Sequence, residues 1–433
     1  MKVFNRFILL STLSLVILFT GYNSVFAQQN DNDHLQTTHE AEATNQHDNE
    51  QETHQSTSHN ECGPDEEVAF NAGETALHHI SDANIYSIGN LSIPLPCILY
   101  AQGQGLDFFS SSKFDPGHHG TGHNAYNRYV LHEGSVKHID DPSFPTGEVH
   151  IDGIYYDHIM KDGKEVAQTK VCYSGSSVVA NRKSSWDAGM LGGGITSFYD
   201  FSITKNVVTM FLIALILGLI FLSIAKSYRT REGKAPKGIQ SFMEPIFGFI
   251  QDEVAKPIIG KRWPKYMPYL AAIFFFILGL NLFGQIPFLG GSNVTGNLAV
   301  TAALAIFTFF IVNLSGNKEY WKHIFWMPGI PAWVKLIITP VEIIGLFLKP
   351  ITLTLRLFAN ITAGHIVIIS FVSLIFILGN AGESIGGSVG GMALSIPLTL
   401  FMFAIELLVA FLQAFIFTIL SAVYIGAAIE EHH

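Results

Sequence analysis

Residues 203–225 form a mostly apolar run, and Lys226, Arg229, Arg231, Lys234 and Lys237 follow it at once. About 20 apolar residues cross a bilayer as a helix. Clustered Lys and Arg beside such a run mark its cytoplasmic end. Lipid leaves backbone N–H and C=O groups no partner but their own chain, so a run of this kind is restricted to helix. Loop charge stays consistent through the later crossings. Lys261, Arg262 and Lys265 precede a run at 267–284, the loop 284–297 is uncharged, and Lys318, Lys322 and Lys335 follow a run at 297–315.

The expected helices are 203–226, 267–284, 297–315, 334–378 and 392–428. A further one at 242–259 carries Glu244, Asp252 and Glu253 among Phe, Ile and Val, a pattern suited to lying along a membrane surface. The stretch 334–378 is longer than a perpendicular span needs, so it must tilt or bend. Pro340, Pro350 and Pro397 favour kinks in the last two segments, and the Gly-rich stretch 379–391 reads as the loop joining them. The fold class is therefore an all-α polytopic membrane protein of five to six helices, with an exported, β-containing region ahead of it.

Charge divides the chain in the same place. Residues 1–200 hold 10 Lys+Arg against 25 Asp+Glu, and residues 201–433 hold 15 against 10. This is a change of solvent from water to lipid, and it argues against a nucleic-acid partner. Residues 1–27 read as a signal peptide. Lys2 and Arg6 form the basic region, 7–21 the apolar region, and Val25 and Ala27 flank the cleavage position. A retained first helix is the alternative, and either one places the next segment outside the cytoplasm. Residues 28–61 are polar, acidic and His-rich, with too little apolar surface to offset the entropy of ordering. Residues 62–200 mix short apolar runs with Gly and Pro, as in 93–101 and 147–156, and are expected to contain β-structure.

All three cysteines, Cys62, Cys97 and Cys172, lie in the exported half, where one disulfide with one thiol left over is possible. Their spacing fits no zinc pattern. Fourteen of the 18 histidines precede residue 160, including His78, His79, His118, His119 and His123. Solvated loop histidines account for them better than metal capture, because Gly-rich loops fix no ligand geometry.

Charge inside the apolar segments carries the functional signal, because a central Arg, Lys or Asp costs about 2.5–3.5 kcal/mol on insertion scales. Glu342, Lys349, Arg356, His365 and Glu406 occupy the last two segments, together with Asn360 and Gln413. Glu342, Lys349 and Arg356 recur at intervals of seven, which turns each about −20° from the last and leaves them in one stripe. Asn360 lies one turn beyond Arg356. His365 is nine residues from Arg356, so it falls on the opposite side, about 13.5 Å along the axis. Glu406 and Gln413 share a face of the last segment. This arrangement suits two separate aqueous half-paths, Glu342 on one and His365 with Glu406 on the other. Arg356 stands between them, and its guanidinium stays charged and cannot relay a proton. An imidazole ordinarily titrates near neutral pH, which suits a proton relay. Blander roles compete for several of these residues: interfacial solvation for Glu342 and Lys349, packing for His365, and a helix–helix hydrogen bond for Gln413. A secondary transporter is the rival reading, but no repeated halves are visible.

The run Lys349-Pro350-Ile351-Thr352-Leu353-Thr354-Leu355-Arg356-Leu357-Phe358-Ala359-Asn360, with Ala363-Gly364-His365 after it, closely resembles the signature of F-type ATP synthase subunit a. The same holds for Leu412-Gln413-Ala414-Phe415-Ile416-Phe417, Val423-Tyr424-Ile425, the terminal Glu430-Glu431-His432, and Asn281-Leu282-Phe283-Gly284-Gln285-Ile286-Pro287. The resemblance covers about residues 200–433. It implies a non-catalytic, proton-translocating subunit of the Fo sector. Its last two helices would form a steeply tilted hairpin beside a ring of c subunits. The b-subunit peripheral stalk and the remaining synthase subunits would be its other protein partners, and no cofactor or metal is implied.

The resemblance assigns Arg356 as the arginine facing the ring, Glu342 as an acid of the cytoplasmic half-channel, and Gln413 as the glutamine near the arginine. His365 and Glu406 match a pair that some members carry in the opposite order. The long acidic N-terminal segment departs from many members. No phosphate-binding loop is present in the sequence, so nucleotide chemistry belongs to other subunits. Proton is the expected ion, since an imidazole–carboxylate pair relays protons and no all-oxygen sodium cage is visible. The expected location is a bacterial inner membrane, with the N-terminal region outside and the C-terminus in the cytoplasm.

Overall fold

A computed structural model describes residues 81–88, 91–117, 120–161, 164–183, 198–286, 292–327, 329–380 and 384–430. The signal peptide, the polar stretch 28–61, Cys62 and His78, His79, His118 and His119 lie outside the described residues. The chain divides into two units, one ending at Lys205 and one running from Asn206 to His433.

The first unit is built from twelve strands: β1 (Ile85–Ile88), β2 (Leu91–Pro94), β3 (Pro96–Ala101), β4 (Gly105–Ser110), β5 (Asn124–Tyr126), β6 (Tyr129–His132), β7 (Ser135–Ile139), β8 (Glu148–His150), β9 (Gly153–Lys161), β10 (Lys164–Tyr173), β11 (Ser176–Asn181) and β12 (Phe198–Asp200). They form a β1–β2 hairpin, a seven-stranded sheet ordered β8-β5-β6-β7-β11-β10-β9, and a three-stranded sheet ordered β12-β3-β4. Every strand pair is antiparallel. Glu133 and Gly134 turn the β6–β7 hairpin with φ of 50° and 79°, the double positive φ that a two-residue loop needs to match strand twist.

Strand β6 is buried on both faces and feeds two cores. Tyr129 and Leu131 pack with Cys97, Leu99, Phe109, Phe114 and Phe198. Val130 packs with Ala125, Ile139, Phe144, Ile151 and Val171. Cys97 is a free, buried thiol, pushed up to about 12 by burial and then by the charge of Asp200. Cys172 is disulfide-bonded.

Strand β7 carries a pH-sensitive group. His138 is buried, with Nδ1 2.8 Å from Asp140 Oδ1 and Nε2 3.2 Å from Gln104 Oε1. Burial lowers its pKa, and the hydrogen bond and charge of Asp140 oppose this only in part. The folded unit therefore binds this proton less readily than the unfolded chain. Stability is fully present above the ordinary histidine range and is lost as pH falls through the lowered pKa. Amide exchange in β6 and β7, corrected for intrinsic rates, should quicken between pH 7 and pH 5. A His138→Gln variant should lose most of that difference. Equal acid sensitivity in both proteins would assign the effect elsewhere.

The second unit is helical. It consists of α1 (Lys205–Thr230), α2 (Ile239–Phe249), α3 (Trp263–Gly284), α4 (Leu298–Ser315), α5 (Lys318–Phe325), α6 (Ala332–Leu378) and α7 (Ile385–Ile429). Five helical stretches among the described residues are long and apolar enough to cross a membrane: Lys205–Thr230, Ile239–Gly284, Leu298–Ser315, Trp333–Leu378 and Ile385–Ile429. Helix α3 is the centre of the packing, with Leu270, Phe274, Ile277 and Leu280 fully buried.

The expected helix at 242–259 becomes α2, a π-helical stretch (Ile250–Ala255) and one short turn (Lys256–Ile259). Ile250, Val254, Ala255 and Ile259 are its buried side, while Asp252, Glu253 and Lys256 are exposed. Gly260, at φ +63°, redirects the chain into α3.

Helices α6 and α7 have 47 and 45 residues. At 1.5 Å per residue each is about 70 Å long, more than twice the roughly 30 Å hydrocarbon core. Helix continues through Pro340, Pro350 and Pro397 without a break. The Gly-rich stretch is not one loop: helix α7 already begins at Ile385. Two of its glycines, Gly387 and Gly391, serve close packing. A Cβ on Gly391 would lie 2.9 Å from the Ile375 Cα, so only glycine lets these two backbones approach as they do.

Candidate functional site

The stripe of charge on α6 meets different surroundings along its length. Leu346, Leu353, Leu357 and Ile361 are the buried side of the helix. Leu348, Ile351, Leu355, Arg356, Ala359 and Asn360 are exposed. Among the described residues, no acid, ring or hydrogen-bond acceptor pairs with Arg356. The two other cations of α6 do have partners. Lys335 Nζ sits 4.5 Å from the Trp326 ring centre, and Lys349 Nζ 5.3 Å from that of Tyr424. Leu400, Phe401, Leu407 and Leu408 of α7 are exposed as well. The α6–α7 hairpin thus offers a long apolar surface, with Arg356 as a cation on its exposed side.

His365 is turned away from that surface. Its Nε2 lies 3.6 Å from Glu406 Oε1, and the Glu406 side chain is only 2% exposed. Neither Glu406 oxygen accepts a hydrogen bond from the described residues. Room for the carboxyl comes from Gly364, where a Cβ would stand 3.0 Å from Oε1. The half-turn between Arg356 and His365 expected from helical geometry therefore separates an open cation from a closed acid–imidazole pair. Gln413, one heptad after Glu406, is buried, while Asn360 is exposed. No hydrogen bond joins either of them to Arg356 among the described residues.

Glu342 and Lys349 are half-buried and border a third polar group. The Tyr320 phenol is pushed up by burial and then by the charge of Glu342, which places that carboxylate near α5. Tyr320 donates to Asn313 Oδ1 at 3.1 Å, and Asn313 Nδ2 donates to the Phe309 carbonyl at 2.8 Å. Lys349, Asn313, Thr308 and Tyr424 line one small cleft. Tyr320 and Asn313 escape the sequence reading, because neither carries charge and both flank the charged loop after α4.

Two amides at the C-terminal end of α3, Asn281 in its last turn and Gln285 just after it, were also not picked out as functional. Asn281 Nδ2 donates to the Ala410 carbonyl at 3.1 Å, and Gln285 Nε2 to the Glu406 carbonyl at 2.9 Å. Thr295 donates to Asn281 Oδ1 at 2.6 Å. These bonds fix α7 at the height of Glu406, so the acid is positioned by backbone clamps from a neighbouring helix. Their i, i+4 spacing at the end of an apolar helix is the signal that could have found them.

Residues 207–426 match a family model described as ATP synthase A chain, and residues 75–164 match one described as a domain of unknown function (DUF8433). ATP synthase subunit a of Chlorobium phaeobacteroides (strain BS1) is 44% identical over 242 residues, covering 54% of this chain and 68% of that protein. ATP synthase subunit a 2 of Prosthecochloris aestuarii is 44% identical over 236 residues, 53% of this chain and 69% of that protein. ATP synthase subunit a of Anaeromyxobacter dehalogenans is 35% identical over 312 residues, 70% of this chain and 77% of that protein. That last match is longer than the whole second unit, so it extends into the β unit.

Proposed function

Since the chain belongs to the ATP synthase A chain family, whose members include ATP synthase subunit a, we propose that it carries protons past a rotor ring through two offset half-channels kept apart by Arg356. It is a multi-pass, non-catalytic membrane subunit of an ATP synthase. The observation that carries the finer reading is the contrast along α6. Arg356 lies on an exposed, apolar surface with no partner among the described residues, whereas His365 and Glu406 close on each other 3.6 Å apart inside the helical unit.

A cation is expensive in lipid, and its cost falls when an opposite charge is delivered to it. A ring of c subunits bearing one carboxylate each would deliver such charges in turn. The guanidinium holds each arriving carboxylate ionised and, having no proton to release, blocks direct leakage. His365 and Glu406 serve the half-path from the outer face, where an imidazole and a carboxyl can pass a proton between them. Glu342, with Lys349, Tyr320 and Asn313 near it, serves the half-path to the cytoplasm. Gln413 and Asn360 supply uncharged polarity on either side of α6. The basic loops after α1 and α4 support this orientation. The b-subunit stalk and the other synthase subunits complete the assembly.

Cross-linking tests the placement. An Ala359→Cys variant, one turn from Arg356 on the exposed surface, should form a covalent dimer with a cysteine-bearing c subunit in intact membranes. Purified complex holding both subunits but giving no such product from Ala359, Leu355 or Ile351 would refute a ring against this face.

A further inference from the structure

The three-stranded sheet presents a face that the translocation machinery does not use. Strands β3 and β4 alternate, so Cys97, Leu99, Ala101 and Phe109 point into the core. Their other side carries Ile98, Tyr100, Leu106 and Phe108, and Tyr199 of β12 continues it through its register with Tyr100. Leu106 and Phe108 are 68% and 73% exposed, and Tyr100, Tyr199 and Phe201 are exposed too. The Tyr199 ring lies 6.5 Å from both Tyr100 and Phe201. No charged side chain of these three strands lies on this face. Asp107 points the other way, accepting from Gln104 and Asn127, and Asp200 is buried, accepting from Asn84 and the Ser202 amide. An exposed aromatic patch without charge, on a unit outside the membrane spans, needs a cover.

Chain continuity identifies the cover. After β12 the backbone stays bonded to the sheet: the Phe201 amide donates to Ile98, that of Ile203 to Pro96, and that of Lys205 to Ala83, at 2.8, 3.1 and 2.8 Å. Lys205 is also the first residue of α1, a membrane-spanning candidate. No flexible linker intervenes, and Asp200 is separated from Lys205 by at most about 18 Å of extended chain. The last strand thus ends within a few residues of the first span along the chain, which keeps the bilayer surface within reach of this sheet. Tyr and Phe are the residues that settle at that surface, with the ring in apolar surroundings and the hydroxyl among headgroups.

We propose that the Tyr100–Leu106–Phe108–Tyr199–Phe201 face rests on the headgroup–acyl boundary of the leaflet in which α1 begins, so that the β unit is seated on the membrane.

Spin labels at Phe108→Cys and Leu106→Cys test this in the assembled synthase, reconstituted in vesicles of phosphatidylethanolamine and phosphatidylglycerol. Met160→Cys, 73% exposed on β9, serves as the reference position. Cys97 contributes little labelling, being buried with its thiol pushed up to about 12, and the unmodified chain gives the background. Labels at 106 and 108 should collide with oxygen several-fold more, relative to a water-soluble nickel chelate, than the label at 160. A ratio equal to that at 160 would place the face in water and overturn the proposal. Exclusion of both agents would overturn it too, because a protein, either another subunit or a second copy, would then be the cover.

Discussion

Substituting Arg356 with alanine should reduce proton-driven ATP synthesis in membrane vesicles to background, while ATP hydrolysis by the soluble sector stays near that of the unmodified complex. The reason lies in what the residue does not contact. Lys335 and Lys349 rest on the rings of Trp326 and Tyr424, so both contribute to local packing. Arg356 holds no part of this chain together among the described residues. Its removal should even ease insertion, since a central cation costs about 2.5–3.5 kcal/mol on insertion scales. Loss of function with normal assembly is thus the expected combination, and it separates a functional cation from a structural one. Full synthesis by the alanine variant would end the assignment. Normal proton flow uncoupled from synthesis would instead fit a barrier that has been opened, the second half of the role given to this side chain.

The parts of this chain that were legible beforehand are those in which the solvent dictates the pattern. Lipid forces helix and makes charge costly, so the spans and the set Glu342, Arg356, His365 and Glu406 stand out from the apolar background. The facing of Arg356 and His365 follows from nine residues at 100° each, and the exposed guanidinium and the enclosed imidazole conform to it. Contacts between helices were less legible. Nothing local to Gly391 or Gly364 reveals the Ile375 backbone or the Glu406 carboxyl lying against them. Glycines at 386, 387, 390 and 391 suggest a loop until that partner is known, and the end of the hairpin was misplaced for this reason. Asn281 and Gln285 appeared as part of an outer turn, but they act across more than 120 residues on α7. The β unit was legible only as β-containing, because its sheet order also needs the pairings β5–β8, β7–β11 and β3–β12, which join strands far apart in sequence.

Exchanging His365 and Glu406 in one double variant should preserve far more synthesis than either single alanine change. The pair is closed: among the described residues Glu406 has no hydrogen-bond donor on either oxygen, and the His365 Nε2 at 3.6 Å is an ionisable nitrogen just beyond hydrogen-bond distance. A proton moving between the two crosses a gap that a small side-chain shift can close. What matters in such a relay is one acid and one imidazole in contact, and the exchange keeps both. Each alanine variant instead leaves a titratable group buried and alone, with the cost of an unpaired polar group and no second station for the proton. Gly364→Ala adds an independent measure of the contact. Its new methyl would crowd Glu406 Oε1 to 3.0 Å and push the carboxyl off the imidazole without removing either group. Synthesis should then fall well below that of the unmodified complex, though less than in Glu406→Ala. If the exchanged pair is as inactive as both single variants, and Gly364→Ala is fully active, the two residues work separately and the outer half-path runs by another route.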